Sequence, residues 1–173
     1  MQSHVPGGRF DADFETTELL AGIDSDLKFP VGTNLLWYAW DQDSLSMDPV
    51  YDVGEDITGA VGGRMWKGPY SLDVIRAVIT QGQARASSVG YYNADELHLT
   101  LNIEDVERIV PGVIAHPDLQ NRSRLIWKNQ VYRPYFVHTA GIVAERYTLL
   151  VVNCIQIMPE EMVNDPQFLA YAS

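Results

Sequence analysis

Four histidines, at positions 4, 98, 116 and 138, and one cysteine, Cys154, are the side chains best suited to metal binding or nucleophilic chemistry. A metal site needs ligands that converge, and the histidines show no helical His-x-x-x-His or comparable spacing. His98 falls on the polar face of an alternating segment; His116 and His138 fall in or near turns. Each reads as an ordinary surface or hydrogen-bonded histidine. Cys154 lies between Asn153 and Ile155 in an apolar run, where a buried structural thiol is expected rather than a nucleophile. The glycine-rich "GAVGGR" (59–64) lacks the Gly-Lys-Ser/Thr ending and the preceding apolar strand of a phosphate loop. The acids of 41–56 do not follow the Asp-x-Asp-x-Asp-Gly register of a calcium loop. Carboxylate pairs are common in a chain this acidic, so they carry little weight. The pattern implies no enzymatic chemistry, no metal and no cofactor.

The elements that would position these residues read as short strands separated by turns. "NLLWYAW" (34–40) is apolar on both faces, and "YSLDVIRAVIT" (70–80) is rich in β-branched residues, so both suit strands. "ELHLTLNI" (96–103) alternates: Leu97, Leu99, Leu101 and Ile103 face one way, His98, Thr100 and Asn102 the other. "RLIWKNQVYRPYFV" (124–137) places Lys128-Asn129-Gln130 between two apolar stretches, a break of hairpin length. "GIVAERYTLLVVNCIQI" (141–157) ends in the most apolar strand of the chain, with Leu149, Val151 and Ile155 expected in the core beside Leu97, Leu99 and Leu101. Short helices are expected at "FETTELLAGI", with Leu19, Leu20 and Ile23 on one face, at "IEDVERI" (103–109), and from Pro159, limited by Pro166. The fold class expected is mainly β: a small β-barrel with a long inserted loop, short helices and extended terminal arms. The boundaries expected are an arm at 1–33, a barrel at 34–157 carrying an inserted acidic loop at 41–69, and a tail at 158–173.

Composition limits the functions open to such a fold. The chain has 173 residues, 46% hydrophobic, with 23 acidic and 12 basic residues and a net charge of −11. A balance of that sign disfavours gripping a phosphate backbone, which needs Lys and Arg. It does not oppose letting DNA slide past. With one cysteine there is no internal disulfide and no cysteine zinc site. The acidic start, "MQSHVPGGRFDADFETTE", lacks the apolar core of a signal peptide, so synthesis in the cytoplasm and no membrane partner are expected. The aromatic residues of 124–137 exceed what one small barrel needs. Trp127, Tyr132 and Phe136 at strand spacing suit a core or cross-strand pairs. The surplus suits burial against another subunit, where Tyr and Trp are favoured. Trp127, Tyr132 and Tyr135 are the interface candidates.

The order of these segments resembles that of tailed-phage neck proteins of the head-closure, or head-to-tail stopper, family. Three stretches carry the resemblance: "DPVYD" (48–52) in an acidic loop ahead of "PYSLDVIRAVI", the hairpin "RLIWKNQVYRPYFV" after the polar segment 118–124, and the closing strand "GIVAERYTLLVVNCIQ". Together they span 34–157. The resemblance implies a barrel repeated as a homo-oligomeric ring in the virion neck, with the portal and adaptor above and a tail terminator or tail tube below. It implies no enzyme activity and a long inward loop that helps retain packaged DNA. Under it, Asp41, Asp43, Asp48, Asp52, Glu55 and Asp56 would line a channel that DNA traverses without sequence recognition. Physics adds that a wall of carboxylates repels the duplex. A tail terminator, also mixed β and ring-forming, and a soluble ligand-binding β-barrel are the alternatives. The longer arm and C-terminal extension depart from the family pattern.

Overall fold

The computed structural model describes residues 12–23, 34–41, 66–82, 84–87, 90–143, 146–162 and 165–171. Helix α1 (Ala12–Gly22) precedes nine strands: β1 (Asn34–Trp40), β2 (Trp66–Asp73), β3 (Arg76–Thr80), β4 (Ala84–Ser87), β5 (Gly90–Asn93), β6 (Glu96–Asn102), β7 (Arg124–Trp127), β8 (Gln130–Val143) and β9 (Arg146–Gln156). Helix α2 (Ile103–Ile109) and a 3-10 helix (Pro117–Arg122) separate β6 from β7; α3 (Pro159–Met162) and a second 3-10 helix (Pro166–Tyr171) follow β9. Among the described residues seven strands form one antiparallel sheet in the order β2-β1-β7-β8-β9-β6-β3, and β4 pairs with β5 as a separate two-stranded sheet.

The chain is mainly β, as its sequence implies, but the sheet is open and the expected barrel is not closed. Its edges are β2 and β3, which are consecutive in sequence and joined by Val74 and Ile75 alone. The stretch 70–80, expected as one strand, is therefore two strands on opposite edges. Laid flat, six interstrand steps would separate these edges by about 29 Å. The three-residue span from Asp73 to Arg76 reaches at most about 11 Å. The sheet must roll until its edges nearly meet, yet no ladder joins β2 to β3. Ile75 N–H donates instead to the Thr100 carbonyl on β6, at 3.0 Å.

Rolling turns one face inward, and that face is the main core. It collects Leu35 and Trp37 from β1, Leu72 from β2, Leu97, Leu99 and Leu101 from β6, and Leu150, Val152 and Cys154 from β9. Val106 on α2, with Val110 and Val113 beyond it, also packs into this core. Asn102 turns β6 into that helix: its side chain accepts the Glu104 N–H at 3.0 Å, so a residue expected to face solvent is a buried N-cap. The phase of β9 differs from expectation by one residue. Leu150, Val152 and Cys154 point inward, whereas Leu149, Val151 and Ile155 are half-buried on the other face. Both faces of that strand are apolar, so alternation alone cannot phase it. In α1 Thr16 and Leu20 are buried, as is Ile23 just after it, while Leu19 is exposed.

The sequence-read hairpin β7–β8 is present. Trp127 pairs with Gln130 across a two-residue turn, and both turn residues, Lys128 and Asn129, have positive φ (48° and 67°). Those dihedrals are the type I′ geometry whose twist matches paired strands. Gly82 leads into the β4–β5 excursion where a Cβ would collide with the Ala94 carbonyl, so only glycine lets the two chains cross there.

A second layer covers the opposite face of the β2-β1-β7-β8 half. Tyr38, Trp66, Ile126 and Val131 from the sheet pack against Ile157, Met162 and Phe168. Phe168 meets the rings of Tyr38 at 4.9 Å and Trp66 at 5.0 Å, both edge-on. Arg124 anchors this layer from β7. Its guanidinium reaches Asp165 at 3.1 Å, lies 5.0 Å from the Trp66 ring centre and donates to the Arg122 carbonyl at 3.1 Å. The segment 158–171, expected as a tail, thus contributes buried side chains to the domain.

Two stability outcomes follow. Asp165→Ala leaves a buried guanidinium without its ion-pair partner and should cost about 3–5 kcal/mol in a denaturant melt. Leu150→Ala should cost about 2–5 kcal/mol. Leu149→Ala should cost clearly less, and equal losses would contradict the observed phase of β9.

Candidate assembly surface

The four aromatics of the hairpin divide between core and surface because β8 contains a bulge. Tyr132 points inward and Pro134 is buried, but the β8–β9 register shifts between Pro134 and Phe136. The extra residue, Tyr135, inverts the alternation beyond it, so Phe136 and His138 emerge on the outer face. Pro134 has no N–H to give a ladder, which suits a bulge.

Two of the three interface candidates are therefore core residues. Trp127 is 3% exposed and Tyr132 is fully buried. The Tyr132 hydroxyl donates to Gln130 Oε1 at 2.8 Å. Burial, then the nearby Asp95 charge and Cys154, push its phenol above the usual range. Tyr135 is 49% exposed, with its hydroxyl 3.4 Å from Glu96 Oε2. Trp127 and Tyr132 serve the fold, and Tyr135 alone of the three is available to a neighbour.

The surrounding surface mixes apolar and polar side chains. Cross-strand registers align Val78, His98, Asn153 and Phe136 in one row, and Arg76, Thr100, Val151 and His138 in the next. Phe136 is 53% exposed, and its ring lies 4.9 Å from that of His138. His98 Nδ1 sits 2.8 Å from Asn153 Oδ1. Beyond this face the β8–β9 hairpin runs past the sheet body: the β6–β9 ladder ends at Asn102 and Leu149, while β8 and β9 stay paired to Val143 and Arg146. Gly141, at φ +65°, accepts the Thr148 hydroxyl at 2.8 Å in this arm. Ile142 (66% exposed) and Tyr147 (49%) lie on it. Sequence reading missed Ile142 and Tyr147, since an apolar residue on a strand tip carries no mark of exposure.

The acidic candidates divide too. Asp41 is buried at the end of β1, and its carboxylate pairs with Lys67 Nζ on β2 at 2.9 Å. That pairing, a link between β1 and β2, takes it out of an acidic channel wall. Asp43, Asp48, Asp52, Glu55 and Asp56 lie outside the described residues, as do His4 and the glycine-rich 59–64. The expected loop 41–69 ends earlier than expected, because 66–69 already belong to β2. Cys154 is wholly buried, and burial pushes its thiol far above the usual range. Among the described residues no group of three or more His, Cys, Asp or Glu side chains could hold a metal ion. His138 lies within β8 rather than near a turn.

No protein-family model matches the chain, and no curated protein matches it. Among solved structures, a chain in one described as the virion of a native gene transfer agent (GTA) particle is similar, with TM-score 0.42 and 13% identity. The match covers 72% of this chain and 93% of that one.

The buried phenols give a pH prediction. Tyr38 is also raised, by burial first and then by the charge of Tyr171 and a hydrogen bond to it. A phenol raised in the folded state contributes stability that is fully present below the unfolded value, about pH 10. That contribution is lost as pH climbs from there through the folded value. Denaturant midpoints should fall above about pH 10, and Tyr132→Phe should flatten the fall.

Proposed function

We propose that this chain is a structural protein of a tailed-phage-like virion, forming a homo-oligomeric ring in the neck between portal or adaptor and tail. The observation that carries this reading is the uncovered apolar surface of a small folded domain: Tyr135 and Phe136 on the outer face, Ile142 and Tyr147 on the projecting hairpin. Surface of that kind suits burial against other proteins. Its two parts are unlike, as a ring built from heterologous contacts requires. The order of strands and the acidic segment that resemble the head-closure family supply the neck assignment. The rolled interior is filled by side chains, Trp37 and Tyr132 among them, which weighs against a barrel that holds a soluble ligand.

The acidic segment supplies the second half of the proposal. Asp48, Asp52, Glu55 and Asp56 would face the DNA path and repel the duplex, so that it slides rather than sticks. Replacing these four by Lys should convert repulsion into phosphate attraction and slow DNA ejection from assembled particles, more strongly at low salt. Replacing them by Asn should alter ejection far less. A neck reconstruction that shows residues 48–56 on an outer rim would refute the DNA role. One that shows the chain outside the neck would refute the proposal as a whole.

A further inference from the structure

The two sheet edges are treated unequally. On β2 the edge is blunted: Pro69 lacks an N–H, the β1–β2 register shifts between Trp37 and Ala39, and Lys67 and Asp73 add charge. Proteins use these devices to stop strands from adding to a free edge. On β3 they are missing: "RAVIT" pairs with β6 in unbroken register, holds no proline and has one charged residue, Arg76. Val78 is 36% and Ile79 43% exposed. Among the described residues no strand pairs with the far side of β3.

A second edge without a further described strand partner lies on the hairpin arm. β7 pairs with β8 only from Gln130 to Tyr132. The 3-10 helix Pro117–Arg122 then lies along β8. Beyond Ala140 the arm has left the sheet body, and among the described residues β8 pairs there only with β9. Residues 139–143, "TAGIV", are uncharged and carry exposed Ile142.

We infer that β3 of one copy pairs with the β8 arm, residues 139–143, of a second copy. Rows of unpaired N–H and C=O groups are satisfied by another strand, which makes the occupant a β-segment. Charge permits a second copy of this chain at these two segments. Copies with a net charge of −11 repel one another, and these two segments hold no acid and one Arg between them. They are therefore places where two copies meet with little repulsion. The edges are unlike, so each pairing leaves one of each kind free and the contact propagates head to tail until it closes. The inference deepens the ring reading and rests on it.

The test is a disulfide across the proposed contact in the full-length chain, since Cys154 is buried and should stay out of the reaction. Val78→Cys and Ile142→Cys together should give, on mild oxidation, a ladder of covalent trimers and larger species. Each substitution alone should give no ladder, and mixing the two single variants should stop at dimers. In parallel, Val78→Lys/Ile79→Lys should lower the self-association constant seen by sedimentation velocity at least tenfold, with an unchanged circular dichroism spectrum. Wild-type rings without a ladder from the double-cysteine variant would overturn the pairing and leave the ring reading standing. Dimers from either single variant would overturn it in favour of a two-fold contact. A wild-type chain that stays monomeric at every concentration would overturn the pairing and the self-assembly part of the ring reading together.

Discussion

Val74 and Ile75 join strands that lie on opposite edges of a seven-stranded sheet, and most of the architecture follows from that short link. A flat sheet would hold the edges several times farther apart than these residues can span. Rolling is therefore compulsory, and it creates an inside. The apolar face of every alternating strand turns toward a common interior, where Leu35, Leu97 and Leu150, from three different strands, belong to one core. Ladder closure would remove both edges. Here the covalent link brings them together at one end, and among the described residues no strand pairs with the far side of β3, so the sheet keeps an open edge.

The outside of the roll is divided. One half is covered by the segment after β9, held by the Arg124–Asp165 pair and by Phe168 wedged between Tyr38 and Trp66. A buried ion pair is weak evidence for stability, because desolvation offsets much of the attraction. Its geometry is specific, however: Arg124 also serves two backbone carbonyls and stacks on Trp66, which fixes where the closing segment lies. The other half of the outside shows Phe136 and His138, and beyond it the arm shows Ile142 and Tyr147. The chain thus spends one set of aromatics on its own second layer and leaves a different set at the surface. An acidic chain needs some weakly charged contact region if copies are to associate at all, and this uncovered half supplies one.

Much of this was legible in the sequence, for reasons that can be named. β6 was, because Leu97, Leu99 and Leu101 alternate with His98 and Thr100, and one-sided burial leaves that mark. The β7–β8 hairpin was, because Lys128-Asn129 interrupts two apolar runs with residues that suit a turn. The mainly β class, the short helix at 103–109 and the burial of Cys154 follow from equally local signals. The rest needed tertiary information. Both faces of β9 are apolar, since one lines the core and the other belongs to the uncovered surface, so its phase could not be read. Trp127 and Tyr132 suited either a core or a subunit interface, and they fill the interior of a sheet whose rolling no local pattern announces. Phe136 changed sides because one extra residue, Tyr135, enters a ladder whose partner strand lies far along the chain. Asp41 looked like one more acid of a channel wall, and only the placement of Lys67 across the β1–β2 pair made it an ion-pair partner. Sequence determined where most strands lie, though not the break at Val74–Ile75 or the β4–β5 pair, because strand formation reads out nearest-neighbour polarity. Tertiary structure decided which side of each strand is inside and which edges stay free, because those depend on contacts between residues far apart in the chain.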